Sequence, residues 1–182
     1  MAGILRVDQA NVDYIYAKTA GGRVYIPGHI IQVVQTVVSN RWVGSSSNNT
    51  WNDITGMSCT ITPTYSTSKI LVQVFMNGGP YNGVEKTPWR LVRGATPVGI
   101  GDSGLGGRAT GDCGGPNQYW PPFNGANYMD SPATTSSTTY KLQYNGTTSS
   151  YFYLNYPASA RGSVEAVDAT TISTITLMEI AQ

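Results

Sequence analysis

Lys69-Ile70-Leu71-Val72-Gln73-Val74-Phe75-Met76 is the stretch on which the fold turns. It is the most hydrophobic run in the chain. Turn residues bound it on both sides, Thr64 to Ser68 before it and Gly78-Gly79-Pro80 after it, so it reads as a central β-strand. Upstream, Ile30-Ile31-Gln32-Val33-Val34-Gln35-Thr36-Val37-Val38 is dense in β-branched residues and has no helical stripe. Trp51 to Pro63 alternates in part, through Ile54, Met57, Cys59 and Ile61. Downstream, Trp89 to Arg93 reads as a strand closed by Gly94, and Val98 to Ile100 as the start of another. Thr138 to Tyr144 alternates cleanly. Asn145-Gly146 then signals a hairpin turn, with Ser150 to Tyr156 as the returning partner. Thr170 to Ile180 is the closing strand.

Residues 101–130 stand apart. They hold eight Gly, little β-branching and the aromatic residues Tyr119, Trp120, Phe123 and Tyr128. They read as one long loop, of the kind that often carries function. Its aromatic side chains either contact a partner or plug one end of the domain. About seven to nine short strands in about 155 residues fit an antiparallel, jelly-roll-like β-sandwich. No internal repeat of propeller or solenoid length is visible.

Composition leads to the same class. The 182 residues include 21 Thr, 16 Ser, 12 Asn, 21 Gly and 10 Pro, the residues of pleated surfaces and turns. Only 12% are charged and the formal net charge is +1, which gives no electrostatic footprint for nucleic acid or an anionic membrane. With 12 Tyr, 4 Trp and 3 Phe the chain has too many aromatics for intrinsic disorder. No apolar run approaches the ~20 residues of a membrane span. The start, Met1-Ala2-Gly3-Ile4-Leu5-Arg6, has neither a signal peptide's pattern nor a myristoylation signal. Cys59 and Cys113 are the only cysteines. Two free thiols is the plainer reading, and a disulfide between them stays open.

Two units are expected. Residues 1–27 are an N-terminal arm whose apolar side chains, Ile4, Leu5, Val7, Tyr14, Ile15 and Tyr16, are too few to close a core. They either anchor the chain on another protein or fold back as an edge strand. Residues 28–182 form the sandwich.

Catalytic motifs are weak. Gly99-Ile100-Gly101-Asp102-Ser103-Gly104 spells a dinucleotide fingerprint, but the residues that follow are not a helix, so no cofactor is expected. Gly101-Asp102-Ser103-Gly104 also echoes a protease nucleophile loop, yet His29 is the sole histidine and lies in no matching motif. The ten acids form no recognisable pair for glycoside hydrolysis, and no clustered ligands suggest a metal. Asn48-Asn49-Thr50 and Asn145-Gly146-Thr147 fit the glycosylation sequon, as expected by chance in a chain rich in Asn and Thr. The reading is a binding or structural protein and not an enzyme.

Several segments taken in order resemble the C-terminal domains of tailed-phage fibre and receptor-binding proteins, especially those of phages of cyanobacteria. These are Leu5-Arg6-Val7-Asp8, Gly28 to Gln35, Ile61 to Val72, Leu91 to Val98, Asp130-Ser131-Pro132 with Thr138 to Tyr140, and Tyr151 to Tyr156. The resemblance implies a trimeric jelly-roll virion protein, made in the host cytoplasm and used for contact with a host surface glycan or protein. It implies docking on other virion proteins through the N-terminal arm, and no catalytic residues. Fibres of this kind usually carry long shafts, and here only about 27 residues precede the domain. A short fibre, a head fibre or a capsid decoration protein is therefore the expected variant.

Overall fold

The computed structural model describes residues 26–45, 50–80, 87–102, 109–113, 123–146, 151–157 and 169–182. The described residues form eleven strands and no helix. In chain order they are β1 (Ile30–Val38), β2 (Trp42–Ser45), β3 (Asn52–Ile61), β4 (Lys69–Pro80), β5 (Pro88–Arg93), β6 (Thr96–Val98), β7 (Gly111–Asp112), β8 (Phe123–Asp130), β9 (Thr138–Tyr144), β10 (Tyr151–Leu154) and β11 (Ser173–Ile180).

The pairing is concentric. β1 pairs with β11, β3 with β9, β4 with β8 and β5 with β6, all antiparallel. The chain thus doubles back on itself like one long hairpin. Rolling that hairpin brings β11 beside β4 and β9 beside β5. Two sheets result. The larger runs β1-β11-β4, with β8 also on β4 and the β10-β2 strip at the end of β4; the smaller runs β3-β9-β5-β6, with β7 on β5. This is a jelly-roll-like β-sandwich.

β4 is central, as its sequence implies, since it pairs with β11, β8 and β10. Its even-numbered residues Ile70, Val72, Val74 and Met76 face inward and are buried. They meet Ile175 and Leu177 of β11, and Ile54, Met57, Leu91, Tyr140 and Leu142 of the smaller sheet. Full burial of one such side chain contributes about 1.5–3 kcal/mol, so this layer dominates the stability.

Three local readings change. Gly78-Gly79-Pro80 does not end β4 but pairs with β10. At Gly78 a Cβ would lie 2.7 Å from the Tyr153 carbonyl oxygen, so glycine lets the β10 backbone approach. Second, β9 and β10 are not a hairpin. β9 joins β3 and β5 in the smaller sheet, whereas β10 joins β2 and β4 in the larger one, so the chain after Asn145-Gly146 crosses between sheets. Trp42, Tyr144 and Phe152 bind that crossing, with ring centroids 6.0 Å apart for Trp42–Tyr144 and 5.1 Å for Tyr144–Phe152. Third, Phe123–Asp130 is a full strand and not part of a loop. In β3, Gly56 (φ 89°) takes up the register shift between Asp53 and Ser58.

A cross-sheet clamp closes one side of the sandwich. Asp130 ends β8, and its Oδ2 accepts from Arg93 Nη1 at 2.7 Å and from the Tyr140 hydroxyl at 2.6 Å. Burial, reinforced by the bond to Asp130, holds the Tyr140 phenol above its ordinary range. Asp130→Asn keeps an acceptor for Tyr140 but removes the charge pair. It is expected to cost about 1–2 kcal/mol, read as a lower urea midpoint at unchanged slope.

Cys59 and Cys113 are both buried and free. Gly28 donates its N–H to Ala181 and His29 accepts from Ala181, which stitches the opening of the 28–182 unit to its last strand.

Candidate interaction surface

The two sheets carry opposite chemistry on their outer faces. On the smaller sheet, Lys141 Nζ lies 2.8 Å from Asp53 Oδ2, and Gln143 Nε2 donates to Asp53 Oδ1 at 2.7 Å. Arg90 donates through Nε and Nη2 to Gln143 Oε1 and stacks its guanidinium 4.2 Å from the Trp51 ring centroid. The Thr60 and Thr139 hydroxyls bond across the strands at 2.8 Å. Burial pushes the Asp53 carboxyl up, but the bonds from Lys141 and Gln143, together with the Lys141 charge, bring it below its ordinary value. The charges are satisfied within the chain, and so exposed a network adds little stability.

The larger sheet presents rows set by its register. Val33 stands opposite Met178, Met178 opposite Leu71, and Leu71 opposite Met129. The next row is Gln35, Thr176, Gln73 and Asn127, and the one after is Val37, Thr174, Phe75 and Gly125. Phe123 leans over that third row, its ring centroid 4.6 Å from that of Phe75. Two apolar rows thus flank a row of amides and hydroxyls, within which Gln35 Nε2 donates to Thr176 Oγ1 at 2.8 Å. Val33 is 54% exposed, Val37 53%, Phe75 45%, Phe123 61% and Met129 45%, a continuous apolar exposure and not scattered single residues. Lys69, at the strand end, is the one charged residue of β1, β4, β8 and β11 on this face.

Of the aromatic residues singled out in the sequence, Phe123 lies on this face. Tyr128, on the same strand, points to the other side and packs half-buried against the core. A Cβ on Gly99 would stand 2.9 Å from its ring. One strand therefore separates the two. Tyr119 and Trp120 lie outside the described residues, as do the arm residues Ile4, Leu5, Val7, Tyr14, Ile15 and Tyr16. The residues of this face that sequence reasoning did not single out are Val33, Val37, Met129 and Met178. A smaller aromatic group sits on the β10-β2 strip. Tyr153 has Tyr151 at 6.4 Å and Tyr156 at 5.4 Å, and Arg41 lies 5.5 Å over Tyr156.

Two buried polar hubs hold the large sheet's frame. Glu179 is fully buried and accepts from Gln32 Nε2 (2.5 Å), Thr64 N (2.7 Å), Ser68 Oγ (2.7 Å), Thr64 Oγ1 (3.1 Å) and Tyr65 N (3.3 Å). Asn155 is fully buried, and its Nδ2 donates to the carbonyls of Val38 (2.8 Å) and Asn40 (3.1 Å). Its Oδ1 accepts from Ser173 Oγ at 2.6 Å.

Among the described residues, no three His, Cys, Asp or Glu side chains are grouped to hold a metal ion. The His29 Nδ1 contacts the Ile26 carbonyl, and Ser103 lies outside the described residues. No family model matches the chain, and no curated protein matches it in sequence.

Proposed function

We propose that this protein is a phage virion component, a trimeric short tail fibre or receptor-binding tip that meets the host surface and docks on the particle through residues 1–27. The observation that carries this reading is where the fibre-like segments fall. Gly28 to Gln35 runs into β1, Ile61 to Val72 into β4, Leu91 to Val98 spans the β5–β6 hairpin, Asp130 to Tyr140 links β8 to β9, and Tyr151 to Tyr156 covers β10. The segments that carry the resemblance thus fall along a single jelly-roll-like frame from its first strand to β10, which supports the reading. Folds host many functions, so the reading rests on that joint match and not on the sandwich alone.

The test uses antibody against the purified chain. It should label particles of the encoding phage, and the purified chain added to host cells should reduce phage adsorption. Particles without the protein would refute the reading. The broad, uncharged face also suits a capsid decoration protein, and quantitative staining separates the two. A few dozen copies per particle mean a fibre; hundreds, with no effect on adsorption, mean decoration.

A further inference from the structure

We infer that the outer face of the β1-β11-β4-β8 sheet is where copies of this chain pack against one another. The inference deepens the proposed reading by naming the subunit interface, and it rests on that reading only for the expectation of several copies per assembly.

Three observations select a like copy as the occupant. The first is charge. The smaller sheet keeps Asp53, Arg90 and Lys141 on its outer face, whereas the rows of the larger sheet hold none but Lys69 at the margin. Identical faces brought together across a symmetry axis repel when charged, and this one brings no such penalty. A partner of opposite charge would have nothing here to recognise.

The second is the chemistry of the middle row. Gln35, Gln73 and Asn127 each carry donors and acceptors, and Thr176 carries a hydroxyl. A row that both donates and accepts is complementary to itself. The flanking rows, with Val33, Leu71, Met129 and Met178 on one side and Val37, Phe75 and Phe123 on the other, bury against the neighbouring copies. The Phe75–Phe123 stack supplies the large aromatic anchor that such interfaces favour.

The third is area. Four strands spaced about 4.8 Å apart, each about eight residues long, cover roughly 500 Å² in projection. Two such faces remove roughly 1,000 Å², the lower bound for a specific interface.

The test is sedimentation of the full chain over a wide concentration range, with circular dichroism to verify folding. The wild type is expected as a multiple of the chain mass. Val33→Glu and Phe75→Glu each place a charge in the contact and should weaken association by about a hundredfold or more. Ser58→Glu, on the exposed outer side of the smaller sheet, should leave it unchanged. Should either charged variant misfold, the pair Val33→Thr and Val37→Thr, whose hydroxyls stay hydrated in the free subunit and lose water only in the contact, is expected to fold normally and weaken association by about tenfold. A wild-type oligomer untouched by the face variants overturns the interface and leaves the multi-copy reading standing. A wild type monomeric throughout overturns the interface together with the trimer, and makes another segment of the chain or an unlike protein the cover of this face.

Discussion

Asn155→Ala is expected to destabilise the protein by about 4 kcal/mol, the largest effect of any single polar substitution considered. The side chain sits where four pieces of chain converge. Its amide nitrogen satisfies the carbonyls of Val38, the last residue of β1, and of Asn40 just beyond it, and its oxygen holds Ser173 at the start of β11. The Ser173 hydroxyl in turn accepts from the Asn77 N–H of β4, and the Asn155 backbone bonds Asn77 and Thr171. Alanine removes the side-chain bonds and leaves polar groups in a place closed to water. It must also adopt φ 65°, which costs alanine about 1 kcal/mol more than asparagine. Asn155→Gly loses the same bonds without that strain, so it should be less damaging by about 1 kcal/mol. Urea midpoints of the three proteins check this; equal losses for alanine and glycine would remove strain from the account.

The second large effect concerns Glu179. Burial pushes its carboxyl up, but bonds from Gln32, Ser68 and the backbone of Thr64 and Tyr65 outweigh it and hold the group below its ordinary value. The unfolded carboxyl titrates near ~4.3. With the folded value lower, the stabilisation is complete above about pH 5 and is lost as pH falls through the folded value. Glu179→Gln turns an amide N–H₂ toward groups that themselves donate. It should cost about 3 kcal/mol at neutral pH and flatten the acid limb of the stability curve. Denaturation midpoints at neutral pH and below the unfolded value decide the matter. Parallel acid losses in both proteins would assign the pH dependence elsewhere. Asp53 is also held low, but its side chain is 53% exposed, so solvent screening leaves it a small share.

The fold class and the central place of β4 were legible because they depend on local density of apolar and β-branched residues, which the chain states directly. The hairpin expected at Asn145-Gly146 failed for a reason of partner choice. A turn dipeptide reports a local bend, whereas Tyr140, Leu142 and Tyr144 find their burial between β3 and β5. β8 was hidden because Gly125, Asn124 and Asn127 lower its apparent strand propensity, and pairing along β4 overrides that. The candidate surface did leave a signal. In Ile70-Leu71-Val72 and Val74-Phe75-Met76 consecutive residues are apolar, as in Val33-Val34 and Val37-Val38, so both sides of those strands carry apolar side chains. A strand with one wet side alternates; one that does not has something to cover on each side. What no single strand can state is which outward residues stand abreast, since that needs the register of four strands at once.

The concentric pairing also sets a timetable for synthesis. Among the described strands β1 pairs only with β11, and β4 is flanked by β11 along Lys69–Phe75. While the chain is being made, those two strands, among the most apolar it has, must wait with unsatisfied edges until β11 has been made. Distant pairings of this kind make folding slow and expose the nascent chain to sticking meanwhile. Termination before Ser173 would therefore yield not a smaller domain but an open sheet, so the supply of usable subunits depends on how often synthesis carries through β11.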